Sequence, residues 1–208
     1  MKSEDKRNNA RKEAFIEVEK NKLWGDEHLS GWGSTVEVTK VTREIIEKVL
    51  KEHGIKSMVD VACGDFKWMP LVIEQLHKDF KYTGCDIVPA LIEKNSKAYP
   101  QYEFKVNDFV KDGIPEAELI FCRDVLQHIT VADIKDALKK FSASGAKYLL
   151  ATTHLRRYGW RNSRDIKVGK CRDRNLMYEP FNLPNPLVIY SEEYGNKFLG
   201  LWKLPFND

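Results

Sequence analysis

The stretch Ser57-Met-Val-Asp-Val-Ala-Cys-Gly-Asp-Phe-Lys-Trp68 decides the fold of this 208-residue chain. It begins as an apolar strand and ends in a turn of small residues, with carboxylates at Asp60 and Asp65. A strand followed at once by a tight turn brings backbone N–H groups close to a ligand. The stretch therefore predicts a βα unit with a ligand site at the carboxyl end of its strand. A tight turn without a ligand is the alternative that this segment alone leaves open.

A second strand ends in an acid at a distance that suits a parallel sheet. Asp86 follows Asp60 by 26 residues. That distance leaves room for one crossover helix, near residues 68–78, before the next parallel strand. An acid at the end of this second strand can accept both hydroxyl groups of a ribose.

Two more strands end in the same way. Residues 102–106 form a short predicted strand that ends in Asn107 and Asp108, and residues 117–122 form another that runs into Asp124. Because the carboxyl ends of parallel strands meet at one edge of a sheet, these acids predict a single binding site there.

The four segments resemble the cofactor motifs of class I S-adenosylmethionine-dependent methyltransferases. The first family motif, acid-x-Gly-x-Gly-x-Gly, appears here as Asp60, Ala62, Gly64 and Phe66, so two of its three glycines are replaced. The resemblance implies a Rossmann-like α/β fold. Its sheet is expected to have seven mostly parallel strands with helices on both faces, and residues 187–203 are expected to form a C-terminal antiparallel hairpin.

The resemblance also implies that the cofactor is S-adenosylmethionine, which leaves the site as S-adenosylhomocysteine. Asp86 is the implied ribose ligand, and the pair Asn107-Asp108 occupies the position that accepts a hydrogen bond from the adenine amine. The implied cofactor-binding residues are Asp60, Ala62, Cys63, Gly64, Trp68, Asp86, Ile87, Asn107, Asp108, Phe109 and Arg123.

Three side chains are candidates for the proton acceptor in methyl transfer. The methyl group of a sulfonium is already activated, so an enzyme has to align an acceptor oxygen and remove its proton. Asp124 and His128 are predicted on one face at the start of a helix, and either can be the base. His154, at the end of a fifth predicted strand, is the third candidate. Their spacing fits no standard ligand motif, so no metal site is assigned.

Two other segments are predicted to contact the substrate. Trp24 and Trp32 lie in a glycine-rich loop that can cover the site, with ordinary packing as the alternative. Residues 156–174 carry eight basic side chains against two acidic ones and follow the fifth strand, where ligands bind in such sheets. A solvated charged loop is the alternative. The predicted substrate-binding residues are Trp24, Trp32, Arg156, Arg161 and Arg164.

The acceptor is predicted to be a small molecule or a glycan. RNA binding needs a wide basic surface with stacking aromatic residues, and only Tyr158 and Trp160 interleave with the basic residues, so nucleic acid is not favoured. Residues 63–69, 86–92, 121–128 and 180–186 together resemble the methyltransferase module of a multifunctional chlorovirus glycan-synthesis protein, which implies O-methylation of a sugar such as rhamnose. Methylation of a small metabolite or RNA, and cofactor binding without catalysis, remain alternatives.

The organisation of the chain is simple. Residues 1–22 are predicted to form a charged helix or tail of little functional weight, and residues 23–208 a single domain. The sequence has neither an apolar run long enough to span a membrane nor a secretion signal at its start, so we expect a cytoplasmic protein, in the host cytoplasm if viral. The four cysteines show no C-x-x-C spacing and are predicted to be inert thiols. The oligomeric state is left open, and the chain can be one module of a longer polypeptide.

Overall fold

One sheet carries all the acid-terminated strands. The computed structural model describes residues 2–25, 30–155 and 162–206. Within these ranges the strands are β1 Ser57–Val61, β2 Lys81–Asp86, β3 Glu103–Val106, β4 Leu119–Cys122, β5 Tyr148–His154, β6 Val188–Ser191 and β7 Lys197–Lys203. The α-helices are α1 Lys2–Lys20, α2 Lys40–Glu52, α3 Pro70–Ile73, α4 Pro89–Ala98 and α5 Val131–Ser142.

The strand order is β3-β2-β1-β4-β5-β7-β6. Strands β1 to β5 pair in parallel, and β7 runs antiparallel to both β5 and β6. The chain therefore adds β2 and β3 on one side of β1 and then crosses back to add β4 and β5 on the other side. The order of strand addition reverses at β1, although these strands all run in the same direction. Ligands of open α/β sheets bind at such a reversal point, beyond the carboxyl ends of the strands.

The sheet is covered on both faces, which explains its apolar strands. In β4, Ile120 and Cys122 point into one core with helix α5, whereas Leu119 and Phe121 point into a second core with helices α2 and α3. Strands that are buried on both faces are apolar at successive positions. The predicted fold class is confirmed: a mostly parallel seven-stranded sheet with flanking helices and a C-terminal antiparallel hairpin.

Two local predictions are wrong. The crossover helix expected near residues 68–78 is only the short α3, because Gln75 and Leu76 donate to carbonyls three residues back and the chain turns towards β2. Asp124 and His128 do not share a helix. Asp124 has a positive φ of 57°, and His128 ends a 3-10 turn, because helix α5 is capped only at Thr130, whose side chain accepts from the Asp133 N–H.

Helix α1 is ordered against the domain, although its sequence is highly charged. Arg11 and Val18 are buried, and Phe15 packs against the core on the α5 side of the sheet. None of the helices in the described part of the chain is long and apolar enough to cross a membrane.

Gly84 in β2 gives a test of how tightly the sheet is packed. A Cβ atom there would lie 2.7 Å from the ring of Phe104 and 3.2 Å from Cys63 Sγ. We expect Gly84→Ala to lower the free energy of unfolding by about 1–3 kcal/mol, because the ring has to move. Gly113→Ala is the matched control, since nothing lies within 4 Å of its Cβ position. Equal urea midpoints for the two variants would contradict this packing.

Candidate active site

The turn after β1 has left-handed backbone at three alternate positions. The φ angles are 68° at Ala62, 59° at Gly64 and 56° at Phe66. These are the three glycine positions of the family motif, and glycine adopts such angles without the steric cost of a side chain. At Gly64 a Cβ atom would lie 2.2 Å from Ser30 Oγ, which accepts a hydrogen bond from the Asp65 N–H at 2.9 Å. Gly64 therefore has to be glycine, since the loop before α2 packs directly on it.

Phe66 replaces a glycine because its ring fills an aromatic cluster. The side chain is 1% exposed. Its ring centroid lies 4.9 Å from those of Tyr99 and Phe104 and 5.2 Å from that of Tyr82. Burial of an aromatic ring among other rings stabilises the fold and offsets the steric cost of a left-handed backbone. The phenylalanine that stands in place of the glycine thus anchors the turn to β2 and β3.

Asp60 and Asp86 are buried carboxylates at the carboxyl ends of β1 and β2. Asp60 accepts a hydrogen bond from the Tyr82 hydroxyl at 2.9 Å, and burial raises its pKa to about 7. Asp86 accepts from the backbone N–H groups of Gly64 and Val88, each at 3.0 Å. Burial raises the pKa of Asp86 to about 6. Neither carboxylate pairs with a basic side chain in the described part of the chain.

Asp108 follows β3 and has a charged partner on helix α1. Arg11 donates to both of its carboxylate oxygens, from Nε at 3.2 Å and from Nη2 at 2.5 Å. The Val110 N–H also donates to Asp108 at 3.1 Å. The neighbouring Asn107 turns its amide towards the Gly113 carbonyl at 2.9 Å. Asp108, rather than Asn107, therefore faces the pocket described next.

A pocket of about 820 Å³, including its open mouth, lies beyond the carboxyl ends of β1, β2 and β4. Helix α1 and the loop before α2 form its outer wall. Nine residues predicted for the cofactor, the substrate or catalysis line it: Trp24, Ala62, Gly64, Asp86, Ile87, Asp108, Phe109, Arg123 and Asp124.

Arg123 and Asp124 belong to a buried network of charges. Arg123 Nε donates to Glu192 at 2.6 Å, and its Nη1 donates to the Gly33 carbonyl at 3.0 Å. Its Nη2 is buried and has no hydrogen-bond partner within residues 2–25, 30–155 and 162–206. Asp124 accepts from Lys197 Nζ at 2.6 Å. The positive charges of Arg123 and Lys197 outweigh the effect of burial and lower the pKa of Asp124 to about 2.

His128 lies beside Trp24, next to the pocket. The two ring centroids are 4.8 Å apart. His128 Nδ1 lies 3.1 Å from the Lys170 carbonyl. A carbonyl oxygen only accepts, so Nδ1 carries the proton and Nε2 keeps its lone pair. Burial lowers the pKa of His128, which keeps the ring neutral.

His154 is engaged by the loop that follows it in the chain. Its Nδ1 accepts a hydrogen bond from the Arg174 N–H at 3.2 Å, and its Nε2 lies 3.6 Å from an Asp173 oxygen. The side chain is buried, and it does not line the pocket. Both ring nitrogens of His154 therefore face protein groups, whereas at His128 such a contact is seen for Nδ1 and not for Nε2 among the described residues.

Four other predicted residues lie outside the pocket lining. Trp32 has 67% of its surface exposed, and Arg164 is also exposed. Cys63 is half-buried behind the turn, and burial raises the pKa of its thiol well above its usual value. Trp68 is buried, and Arg123 lies over its ring at 5.7 Å. Arg156 and Arg161 lie outside the described residues.

Sequence reasoning missed the residues that come from distant segments. Arg11, Phe15 and Val18 recur at helical spacing, and this pattern could have placed Arg11 on the buried face of α1. Lys197 and Glu192 have no local motif that connects them to β4. Among the described residues, no group of three or more His, Cys, Asp or Glu side chains is arranged to bind a metal.

Comparisons with known proteins agree with this geometry. Residues 59–145 match a family model described as a methyltransferase domain. The mitomycin 7-O-methyltransferase MmcR is similar in structure, with a TM-score of 0.61 at 14% identity over 81% of this chain and 54% of its own. The methyltransferase domain of a bacterial CtHen1 has a TM-score of 0.58 at 15% identity, over 80% of this chain and 98% of its own. Magnesium protoporphyrin IX methyltransferase from Synechocystis PCC 6803, with bound S-adenosylmethionine, has a TM-score of 0.59 at 12% identity, over 80% of each chain. No curated protein matches the sequence.

The methyltransferase-domain match over residues 59–145, together with the class I fold, indicates an S-adenosylmethionine-dependent methyltransferase. Its cofactor is S-adenosylmethionine. The residues present fit this molecule. The carboxylates of Asp86 and Asp108 line the pocket, and Arg123 Nη2, which has no hydrogen-bond partner among the described residues, is a donor for a carboxylate.

Burial of Asp60 predicts a pH dependence of stability. Its folded pKa of about 7 exceeds the ordinary value near 4, so the unfolded chain loses this proton first as the pH rises. The free energy of unfolding should therefore fall between about pH 4 and pH 7. Asp60→Asn removes this titration and keeps an acceptor for Tyr82. We expect the fall to be smaller in the variant by on the order of 1–4 kcal/mol in urea unfolding. Identical pH profiles would rule out a raised pKa at Asp60.

Proposed function

We propose that the protein transfers a methyl group from S-adenosylmethionine to a hydroxyl group, with a sugar hydroxyl such as one of a terminal rhamnose as the acceptor. The observation that carries the proposal is His128, a neutral histidine beside the pocket whose Nε2 makes no hydrogen bond to the described part of the chain. A neutral hydroxyl is a poor nucleophile, so a nearby base is an advantage for O-methylation.

We assign each polar group of the cofactor to the pocket residue whose charge and position suit it. The ribose hydroxyls donate to Asp86, whose carboxylate ends β2 at the pocket wall. The adenine amine donates to Asp108, and the amino-acid carboxylate accepts from Arg123 Nη2. Bound in this way, S-adenosylmethionine supplies an activated methyl group. Asp60 lies behind the wall with Tyr82, and we assign it a supporting role.

His128 is the proposed base, and Asp124 is a poor one. A carboxylate with a pKa of about 2, held by Lys197, has little affinity for a proton at neutral pH. His128 instead has a lone pair to offer, because the Lys170 carbonyl fixes the Nδ1 proton. His154 has both ring nitrogens occupied by protein contacts. We therefore assign Asp124 and Lys197 to acceptor binding through hydrogen bonds.

The preference for a sugar acceptor is supported by the groups beside His128. Trp24 provides an aromatic surface, and Asp124, Gln127 and Lys197 provide charged and polar groups within one network. Aromatic rings combined with a few placed polar groups suit an acceptor with both apolar and hydroxyl faces. The resemblance to the glycan-synthesis module supports the same class. We further propose that residues 23–208 act as one domain in the cytoplasm, since free thiols such as Cys171 are typical of reducing compartments.

The acceptor is tested by measuring S-adenosylhomocysteine release. The acceptors to compare are rhamnose-terminated oligosaccharides, short single-stranded RNA and a panel of phenolic and carboxylate metabolites. Turnover with the oligosaccharides supports the proposal. Turnover only with RNA or another metabolite overturns the sugar assignment and keeps the enzyme class. Binding without turnover of any acceptor favours a cofactor-binding protein without catalysis.

The ribose assignment predicts a loss of affinity in Asp86→Ala. We expect S-adenosylhomocysteine to bind roughly 5- to 150-fold more weakly, since two ribose donors lose a buried acceptor worth about 1–3 kcal/mol. Titration calorimetry measures this change, and thermal unfolding checks the fold of the variant. Asp79→Ala, at an exposed carboxylate, is the control and should bind as wild type. Unchanged affinity in Asp86→Ala would remove Asp86 from the site.

The base assignment predicts a loss of turnover without a loss of cofactor affinity. His128→Asn keeps a donor for the Lys170 carbonyl and removes the Nε2 lone pair. We expect kcat to fall by roughly 10²- to 10⁴-fold, with S-adenosylhomocysteine affinity within about twofold of wild type. His77→Asn, at an exposed histidine, serves as the control. A variant with wild-type kcat would exclude His128 as the base.

A further inference from the structure

Helix α1 carries a buried cation into the wall of the pocket. Arg11 is 1% exposed. Its guanidinium donates to both oxygens of Asp108, to Asp133 Oδ1 at 2.6 Å, and to Asn8 Oδ1 at 2.9 Å. A guanidinium with a forked contact and two further acceptors is held in one orientation.

The carboxylates that Arg11 joins belong to different parts of the fold. Asp108 follows β3, and Asp133 lies in the first turn of α5 with no exposed surface. Asp133 Oδ1 also lies 3.3 Å from Arg7 Nε, on the same face of α1. Without α1, two buried carboxylates would lose their cationic partners, which is strongly unfavourable. The docked position of α1 is therefore set by charge as well as by apolar packing.

Arg11 also determines how many hydrogen-bond acceptor positions of the Asp108 carboxylate remain for a ligand. Asp108 Oδ1 accepts from both the Val110 N–H and Arg11 Nε, so its lone pairs are used. Asp108 Oδ2 accepts from Arg11 Nη2 and, among the described residues, from no second donor, so one further acceptor position remains. A single acceptor position suits one N–H of an exocyclic amine.

The same helix is connected to the proposed base through aromatic contacts. Phe15 lies one turn after Arg11, lines the pocket, and packs edge-on against Trp24 with ring centroids 6.1 Å apart. Trp24 in turn lies against His128. One continuous set of contacts thus runs from Asp108, through α1, to the ring of His128.

We propose that Arg11 is a positioning residue for the cofactor, and that docking of α1 and binding of the cofactor stabilise one another. Arg11 aims the free acceptor of Asp108 at the adenine amine and holds α1 as the outer wall of the pocket. Docked α1 keeps Trp24 against His128, so the base is in place when the cofactor is bound. This inference rests on the proposed function of the pocket.

The test is hydrogen exchange of residues 2–20 with and without S-adenosylhomocysteine, combined with titration calorimetry. In wild type we expect the ligand to slow exchange of the α1 amides. In Arg11→Met we expect affinity to fall by roughly 10- to 100-fold, with loss of the ligand-dependent slowing. Arg11→Lys should be intermediate, since lysine supplies charge without the fork. Lys12→Met, at an exposed neighbour on α1, should behave as wild type.

The outcomes separate this inference from the proposed function. If wild type binds S-adenosylhomocysteine but α1 exchange does not change, the coupling is wrong, and this result needs no variant. Equal affinity in Arg11→Met and wild type would exclude Arg11 as a positioning residue. If wild type fails to bind S-adenosylhomocysteine at all, the proposed function itself is overturned.

Discussion

A buried carboxylate has to be hydrogen-bonded or neutralised, and this requirement organises the site. Three of them lie at the carboxyl edge of the sheet, and each is satisfied differently. Asp60 accepts from the hydroxyl of Tyr82, Asp86 accepts from backbone N–H groups, and Asp108 pairs with Arg11. The first two solutions are local to β1 and β2. The pairing of Asp108 with Arg11 instead requires helix α1, which packs at this edge of the sheet and forms the outer wall of the pocket.

A second constraint acts on the turn after β1. Left-handed backbone at three alternate positions favours glycine, yet only Gly64 is glycine. Gly64 is the position where Ser30 leaves no room for a side chain, whereas the ring of Phe66 stabilises the turn by packing on β2 and β3. The departure from the family motif is therefore a change in how the turn is anchored, with its left-handed backbone retained.

The sequence predicted what local patterns encode. Apolar strands that end in acids predicted a parallel sheet, and their resemblance to the family motifs implied the fold class and the positions of Asp86 and Asp108 at the pocket. The prediction was poorer where partners are distant. Arg11 and Asp108 are 97 residues apart, and Asp124 and Lys197 are 73 apart, so one sequence contains no sign of either pair. The crossover helix was predicted too long, because the spacing of apolar residues does not indicate where a helix ends in hydrogen-bonded turns.

The roles of Asp86 and Asp108 in cofactor binding are tested directly by a crystal structure of the protein with S-adenosylhomocysteine. The proposed site predicts both ribose hydroxyls within hydrogen-bonding distance of the Asp86 carboxylate, at about 2.5–3.0 Å. It also predicts the adenine amine at Asp108, with α1 packed over the nucleoside. A nucleoside bound elsewhere, or an Asp86 carboxylate that contacts only Gly64 and Val88, would contradict it.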